Sequence, residues 1–103
     1  MENNQQNRIE IELSDETAQG TYSNLAIISH SPSEFVLDFV RIVPGAPKAK
    51  VKSRIIVTPE RAKALLEALA DNLKKYEANF GKIKTVNAPN PTVPINFGGN
   101  IQA

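Results

Sequence analysis

The chain has 103 residues, of which 41% are hydrophobic and 22% charged, with a formal net charge of +1 and no cysteine. This length allows one globular domain with a thin core, and the missing cysteine excludes disulfides, thiolate metal sites and cysteine nucleophiles. We therefore expect a protein of a reducing compartment, the cytoplasm. Neither a signal peptide nor an apolar run near the ~20 residues that cross a bilayer occurs, so we expect no export and no membrane partner.

The first half of the chain predicts four strands of an antiparallel meander. Residues 1–7 are rich in Asn and Gln and are expected to be disordered. Next, Ile9, Ile11 and Leu13 alternate with charged residues, and this period of two places one face of a strand on a core. Three further segments rich in β-formers are separated by turns that contain Pro or Gly. The four predicted strands span residues 8–14, 21–30, 34–43 and 50–57.

A single long helix is predicted after the fourth strand. Thr58 is a suitable N-cap, Pro59 is tolerated at the first helical position, and Gly81 supplies a stop. The helix is ~33 Å long and exceeds a four-stranded sheet ~19 Å wide, so its end is expected to overhang. Its apolar stripe consists of Ala62, Leu65, Leu66, Leu69, Leu73, Tyr76 and Phe80. The last three of these are predicted to form an assembly interface.

The predicted fold is therefore α+β: a four-stranded antiparallel sheet followed by one long C-terminal helix, in a single domain over residues 8–81. Residues 82–103 contain several Pro and a Gly pair and are expected to be an extended or disordered tail. Within this tail Val93, Ile95 and Phe97 alternate with other residues. Such a segment is able to dock as an added strand on an exposed sheet edge.

Two clusters that resemble catalytic sites have a simpler interpretation. The run from His30 to Glu34 brings a base, two hydroxyls and an acid together, but neighbouring residues in a turn with Pro rarely hold a base between nucleophile and acid. Glu10 and Glu12 share a strand face, as is typical of a solvated edge strand. No phosphate-binding glycine motif precedes a helix. We therefore predict no enzymatic activity, no cofactor and no metal site.

A stripe of basic residues is the strongest candidate for a binding site in the sequence. The predicted partner-binding residues are Arg41, Lys48, Lys50, Lys52 and Arg54. Three of these five occupy alternate positions of the fourth predicted strand and are expected to share one face. Such a row is able to follow phosphates or to meet an acidic protein surface, and a merely solvated face stays open as an alternative. Sheet-based nucleic-acid readers usually add exposed aromatic residues, for which Tyr22 is the obvious candidate.

Residues 21–81 resemble the DUF3467 family of bacterial proteins. Three motifs carry the resemblance: Ser-Pro-Ser-Glu-Phe at 31–35, Thr-Pro-Glu-Arg-Ala-Lys at 58–63 and Tyr-Glu-Ala-Asn-Phe-Gly at 76–81. The family has no established catalytic residues to carry over. Its Bacteroidetes members tend to be encoded beside the largest RNA polymerase subunits, so the resemblance implies a role linked to transcription.

Two functional hypotheses follow. The first is a non-enzymatic accessory protein that binds RNA polymerase through protein contacts. The alternative is a single-stranded nucleic-acid-binding module, because the predicted order of elements also resembles helix-swapped dimers of single-stranded-DNA-binding transcription cofactors. In either case one helix leaves one sheet face uncovered, and exposing several Val, Ile or Leu side chains forgoes about 1.5–3 kcal/mol each. We therefore expect a homodimer or an obligate hetero-complex.

Overall fold

The fold is α+β, and a computed structural model describes residues 8–85. A short helix precedes a three-stranded antiparallel sheet of order β1-β2-β3, which is followed by a long helix. The predicted antiparallel sheet with a C-terminal helix is thus confirmed. The elements are α1 (Asp15–Ala18), β1 (Leu25–His30), β2 (Phe35–Arg41), β3 (Lys50–Val57) and α2 (Pro59–Phe80).

The predicted first strand is wrong, because the sheet has three strands and not four. Residues 8–14 pair with no strand within the described part of the chain, and Ile9, Ile11 and Leu13 are exposed. Ser14 instead caps α1, since its hydroxyl accepts a hydrogen bond from the Thr17 amide at 3.1 Å. Alternation makes a segment suitable for an edge strand, but a strand forms only where a neighbouring edge accepts its hydrogen bonds.

Local hydrogen bonds define the first hairpin. The Ser31 hydroxyl accepts from the amides of Ser33 and Glu34, both at 3.2 Å, in the turn between β1 and β2. At the other end of the hairpin, the Asn24 side-chain amide donates to the Ile42 carbonyl at 3.1 Å and its oxygen accepts from the Ile42 amide at 2.8 Å. The Asn24 side chain thereby replaces a backbone partner, and β1 begins at Leu25, later than predicted.

An irregularity in β3 determines which side chains share a sheet face. Arg54 pairs with Asp38, and Ser53 pairs with Phe39. The next residue of β2, Val40, pairs with Val51 and not with Lys52. Lys52 is therefore an extra residue in β3, as in a β-bulge. Side chains of β3 alternate between the two sheet faces before and after Lys52. Because of the extra residue, Lys50 and Arg54 lie on opposite faces although they are an even number of positions apart.

The two sheet faces are named after the central residue of each. The Leu37 face contains Phe35, Leu37, Phe39, Arg41, Ala26, Ile28, His30, Lys50, Ser53, Ile55 and Val57. The Asp38 face contains Val36, Asp38, Val40, Leu25, Ile27, Ser29, Val51, Arg54 and Ile56. Among the described residues, Leu37, Asp38 and Val40 are the buried ones, and all three lie on the central strand β2.

The long helix α2 begins and ends as predicted. The Thr58 hydroxyl accepts from the Arg61 amide at 3.2 Å, Pro59 is the first helical residue, and Gly81 ends the helix with a positive φ of 96°. The helix has no buried residue, and its few contacts with the sheet are made mainly with β3. No helix in residues 8–85 is both long and apolar enough to cross a membrane. Residues 1–7 and the tail residues Val93, Ile95 and Phe97 lie outside the described residues.

Candidate partner-binding surfaces

An ion pair between a buried carboxylate and an exposed guanidinium lies on the Asp38 face. Asp38 is 2% exposed, and its two carboxylate oxygens accept hydrogen bonds from Nε and an Nη of Arg54 at 2.7 and 2.9 Å. The two residues are direct cross-strand partners in β2 and β3. Such a two-point contact between a planar guanidinium and a carboxylate is among the stronger hydrogen-bonded pairs in proteins. Arg54 is thus committed to a carboxylate of its own chain.

This pair determines the charge state of Asp38. The hydrogen bonds donated by Arg54 hold the pKa of the Asp38 carboxyl below its ordinary value, and the attraction of the guanidinium charge acts in the same direction. Burial of the carboxyl opposes this decrease. Asp38 in turn raises the pKa of Arg54, again mainly through the hydrogen bonds. The pair is therefore fully ionised at neutral pH and its charges cancel locally.

The predicted basic stripe does not form a single row. Arg54 lies on the Asp38 face, Lys50 lies on the opposite Leu37 face, and Lys52 is the extra residue between them. The expectation of one shared face fails because it assumed an unbroken period of two, and one additional residue reverses the alternation. Lys48 lies in the connection that precedes β3 and is exposed.

A smaller basic cluster exists at one end of the Leu37 face. Arg41 and Lys50 are cross-strand partners, and the Arg41 guanidinium carbon lies 5.6 Å from the centre of the Tyr22 ring. This distance is within the range of a cation–π interaction. Like charges placed directly opposite each other destabilise a sheet. Anionic groups of a partner would relieve this repulsion.

Next to this cluster, the Leu37 face carries exposed apolar side chains. Ile28 and Ile55 are the cross-strand partners of Leu37 on either side, and they are 59% and 46% exposed. The row Ile28, Leu37 and Ile55 therefore crosses the sheet, and Arg41 and Lys50 lie on the same face beyond the next row, which contains Phe39. We call this combination, with Arg41 and Lys50, the apolar-basic surface.

The α2 stripe is the second surface. The predicted interface residues Leu73, Tyr76 and Phe80 are 44–73% exposed and lie along one side of α2. The rings of Tyr76 and Phe80 contact each other, with centroids 4.9 Å apart. These three residues lie on one side of α2, as the sequence pattern predicted. The sheet of the same chain does not bury them.

The structure assigns local roles to the residues of the His30–Glu34 run. The His30 ring stacks on Phe35 with centroids 5.2 Å apart, and the Ser31 hydroxyl accepts two amide hydrogen bonds of the turn. Within residues 8–85 no three His, Asp or Glu side chains are grouped as metal ligands would be. The sequence interpretation missed the Asp38–Arg54 pair. Its signal was an isolated acid in a strand of apolar residues, since such a group is buried only with a partner.

Together, the fold and these surfaces define a small α+β protein with a three-stranded antiparallel sheet and a long amphipathic helix whose apolar side is largely exposed in residues 8–85. The family model described as protein of unknown function (DUF3467) matches residues 1–85. The chain belongs to this family, as the three sequence motifs indicated. Comparisons with curated proteins and with solved structures gave no match.

Proposed function

We propose that this protein is a non-enzymatic accessory protein of the cytoplasm that binds a protein partner through the apolar-basic surface. The observation that supports the proposal is the pair of exposed side chains Ile28 and Ile55 on either side of Leu37, with the like-charged pair Arg41 and Lys50 further along the same face. Exposed apolar side chains on the same face as a pair of like charges are typical of interaction sites. The surface suits a partner with an apolar ridge next to acidic groups, because such groups would offset the Arg41–Lys50 repulsion.

RNA polymerase is the partner that we propose. This proposal takes the chain to be a Bacteroidetes-type member of its family. Its support is that the genes of such members tend to lie beside those of the largest polymerase subunits. A role linked to transcription needs no chemistry from the accessory protein itself.

Co-purification from cells that express a tagged chain at its native level tests this proposal. We expect polymerase subunits to be recovered with the wild type and lost with Ile55→Asp. The matched control is Ile56→Asp, because Ile56 is the next residue of β3, is 53% exposed and lies on the opposite face. Recovery of the wild type without any polymerase subunit, or equal loss with both variants, would contradict the proposal.

A second candidate function is the binding of single-stranded nucleic acid, which the contact between Tyr22 and Arg41 favours. An aromatic ring and nearby cations are the groups on which bases stack and phosphates bind. Arg41, Lys48 and Lys50 would make about three phosphate contacts, so log affinity should fall with log salt at a slope of about −2. Fluorescence anisotropy with a labelled oligonucleotide measures this slope. No measurable binding at low salt, or binding unchanged in Arg41→Glu, would exclude this candidate.

A further inference from the structure

Within residues 8–85 the apolar stripe of α2 is largely exposed, although the helix is capped at both ends. Its apolar members Leu65, Leu66, Leu69, Leu73, Tyr76 and Phe80 are all between 44% and 73% exposed. An isolated helix gains little stability from its backbone alone, and most helices in proteins depend on burial of one face. The stripe is therefore suited to packing against another surface, and its pattern indicates which one.

The spacing within the stripe is that of a helix–helix seam. Six apolar positions of the stripe follow at alternating steps of four and three: Ala62, Leu66, Leu69, Leu73, Tyr76 and Phe80, and Leu65 lies beside them. This is the a and d pattern of a heptad repeat, with Leu66, Leu73 and Phe80 at a and Ala62, Leu69 and Tyr76 at d. The charged Asp71 and Lys75 pair with each other at 3.2 Å on the outer side of the helix.

We propose that α2 pairs with α2 of a second copy in antiparallel orientation. The sizes of the seam residues support this orientation, because an antiparallel pair brings each a position opposite a d position. Ala62 then faces Phe80 of the other copy, Leu66 faces Tyr76, and Leu69 faces Leu73. Each layer combines a smaller with a larger side chain or two equal leucines. A parallel pair would instead place two Phe80 rings together at one end and two Ala62 methyl groups at the other, which leaves one layer crowded and one empty.

The charges beside the seam support the same orientation. Lys63 and Glu77 follow d positions and therefore border the seam at e positions. In the antiparallel pair, Lys63 of each copy faces Glu77 of the other, which gives two ion pairs of opposite charge. In a parallel pair neither residue would face an opposite charge across the seam. The pairing uses α2 alone, so it stands independently of the partner proposed for the sheet.

Sedimentation equilibrium on the full chain tests the pairing. We expect a reversible dimer whose dissociation constant rises by at least about a hundredfold in Leu73→Asp, because two seam layers are lost and a charge enters each. Ala68→Asp is the matched control, since it adds the same charge on the exposed outer side of α2 and should leave the dimer intact. A wild type that stays monomeric at high concentration, or equal dissociation by both variants, would overturn the proposal.

A charge exchange tests the orientation without disturbing the apolar seam. Lys63→Glu should weaken the dimer by about two- to thirtyfold, since it breaks two symmetric exposed pairs. The double variant Lys63→Glu with Glu77→Lys should restore the wild-type dissociation constant, because the two charges again face opposite partners. Helicity measured by circular dichroism controls for effects within the helix. A double variant that remains as weak as the single one would rule out the antiparallel arrangement.

Discussion

Two regions of the molecule differ in how their side chains are packed: the hairpin of β2 and β3, and the helix α2. In the hairpin, Leu37 is buried among neighbours of its own chain, and the carboxylate of Asp38 finds its counter-charge directly across the strand pair. In α2, both ends are capped, yet no residue is buried. The comparison teaches that a well-formed helix does not indicate a packed one. The hairpin should therefore be stable at any protein concentration, whereas the stability of α2 should depend on its partner.

The largest effect is expected for Leu37→Ala. Removal of a buried leucine side chain costs about 2–5 kcal/mol of unfolding free energy, a large part of the stability of a small domain. Urea denaturation at two protein concentrations measures it, with Ile55→Ala as a control on the same face that should cost clearly less because Ile55 is half-exposed. Equal costs for the two variants would show that the centre of the hairpin is not the core.

A pH dependence should sharpen the contrast between the two regions. Asp38 has a lowered pKa in the folded state, so its stabilising contribution is complete above the unfolded value of about 3.9 and is lost as pH falls through the folded value. We expect the difference in unfolding free energy between the wild type and Asp38→Asn to be greatest near neutral pH. Urea denaturation between neutral and acidic pH follows it. A difference that stays constant as pH falls below the ordinary range of Asp would contradict the ion-pair assignment.

A smaller effect is expected at the end of α2. Gly81 has φ 96° and ψ 166°, a region that is essentially restricted to glycine, and no atom lies near the position of an added Cβ. Gly81→Ala should therefore cost about 1–3 kcal/mol through backbone strain and not through a clash. Thermal unfolding compared with Lys82→Ala measures this cost. An unchanged melting temperature would mean that the helix end adopts another conformation.

The smallest effect is expected at the start of α2. Thr58→Ala removes the hydroxyl that accepts the Arg61 amide and should cost about 1 kcal/mol. Thr58→Ser keeps this hydrogen bond and should remain close to the wild type. Amide hydrogen exchange of the first helical turn distinguishes the two variants. Equal exchange in both would show that the cap does not hold the turn.

The sequence by itself determined the elements whose signals are local. Thr58, Pro59 and Gly81 fixed both ends of α2, because capping depends on residues within one turn. The bounds of β3 were predicted correctly from its β-formers and the turn before it. The family was also identified from short motifs, which the match over residues 1–85 confirmed.

The tertiary structure alone decided which segments pair and which side chains meet. Residues 8–14 have a strand pattern but no strand partner within the described chain, and the extra residue Lys52 moved Lys50 and Arg54 to opposite faces. The Asp38–Arg54 contact likewise joins residues 16 positions apart. The physical reason is common to all three cases. A local pattern sets the conformation that a segment prefers, but hydrogen bonding and ion pairing between strands depend on register, which is set by the whole sheet.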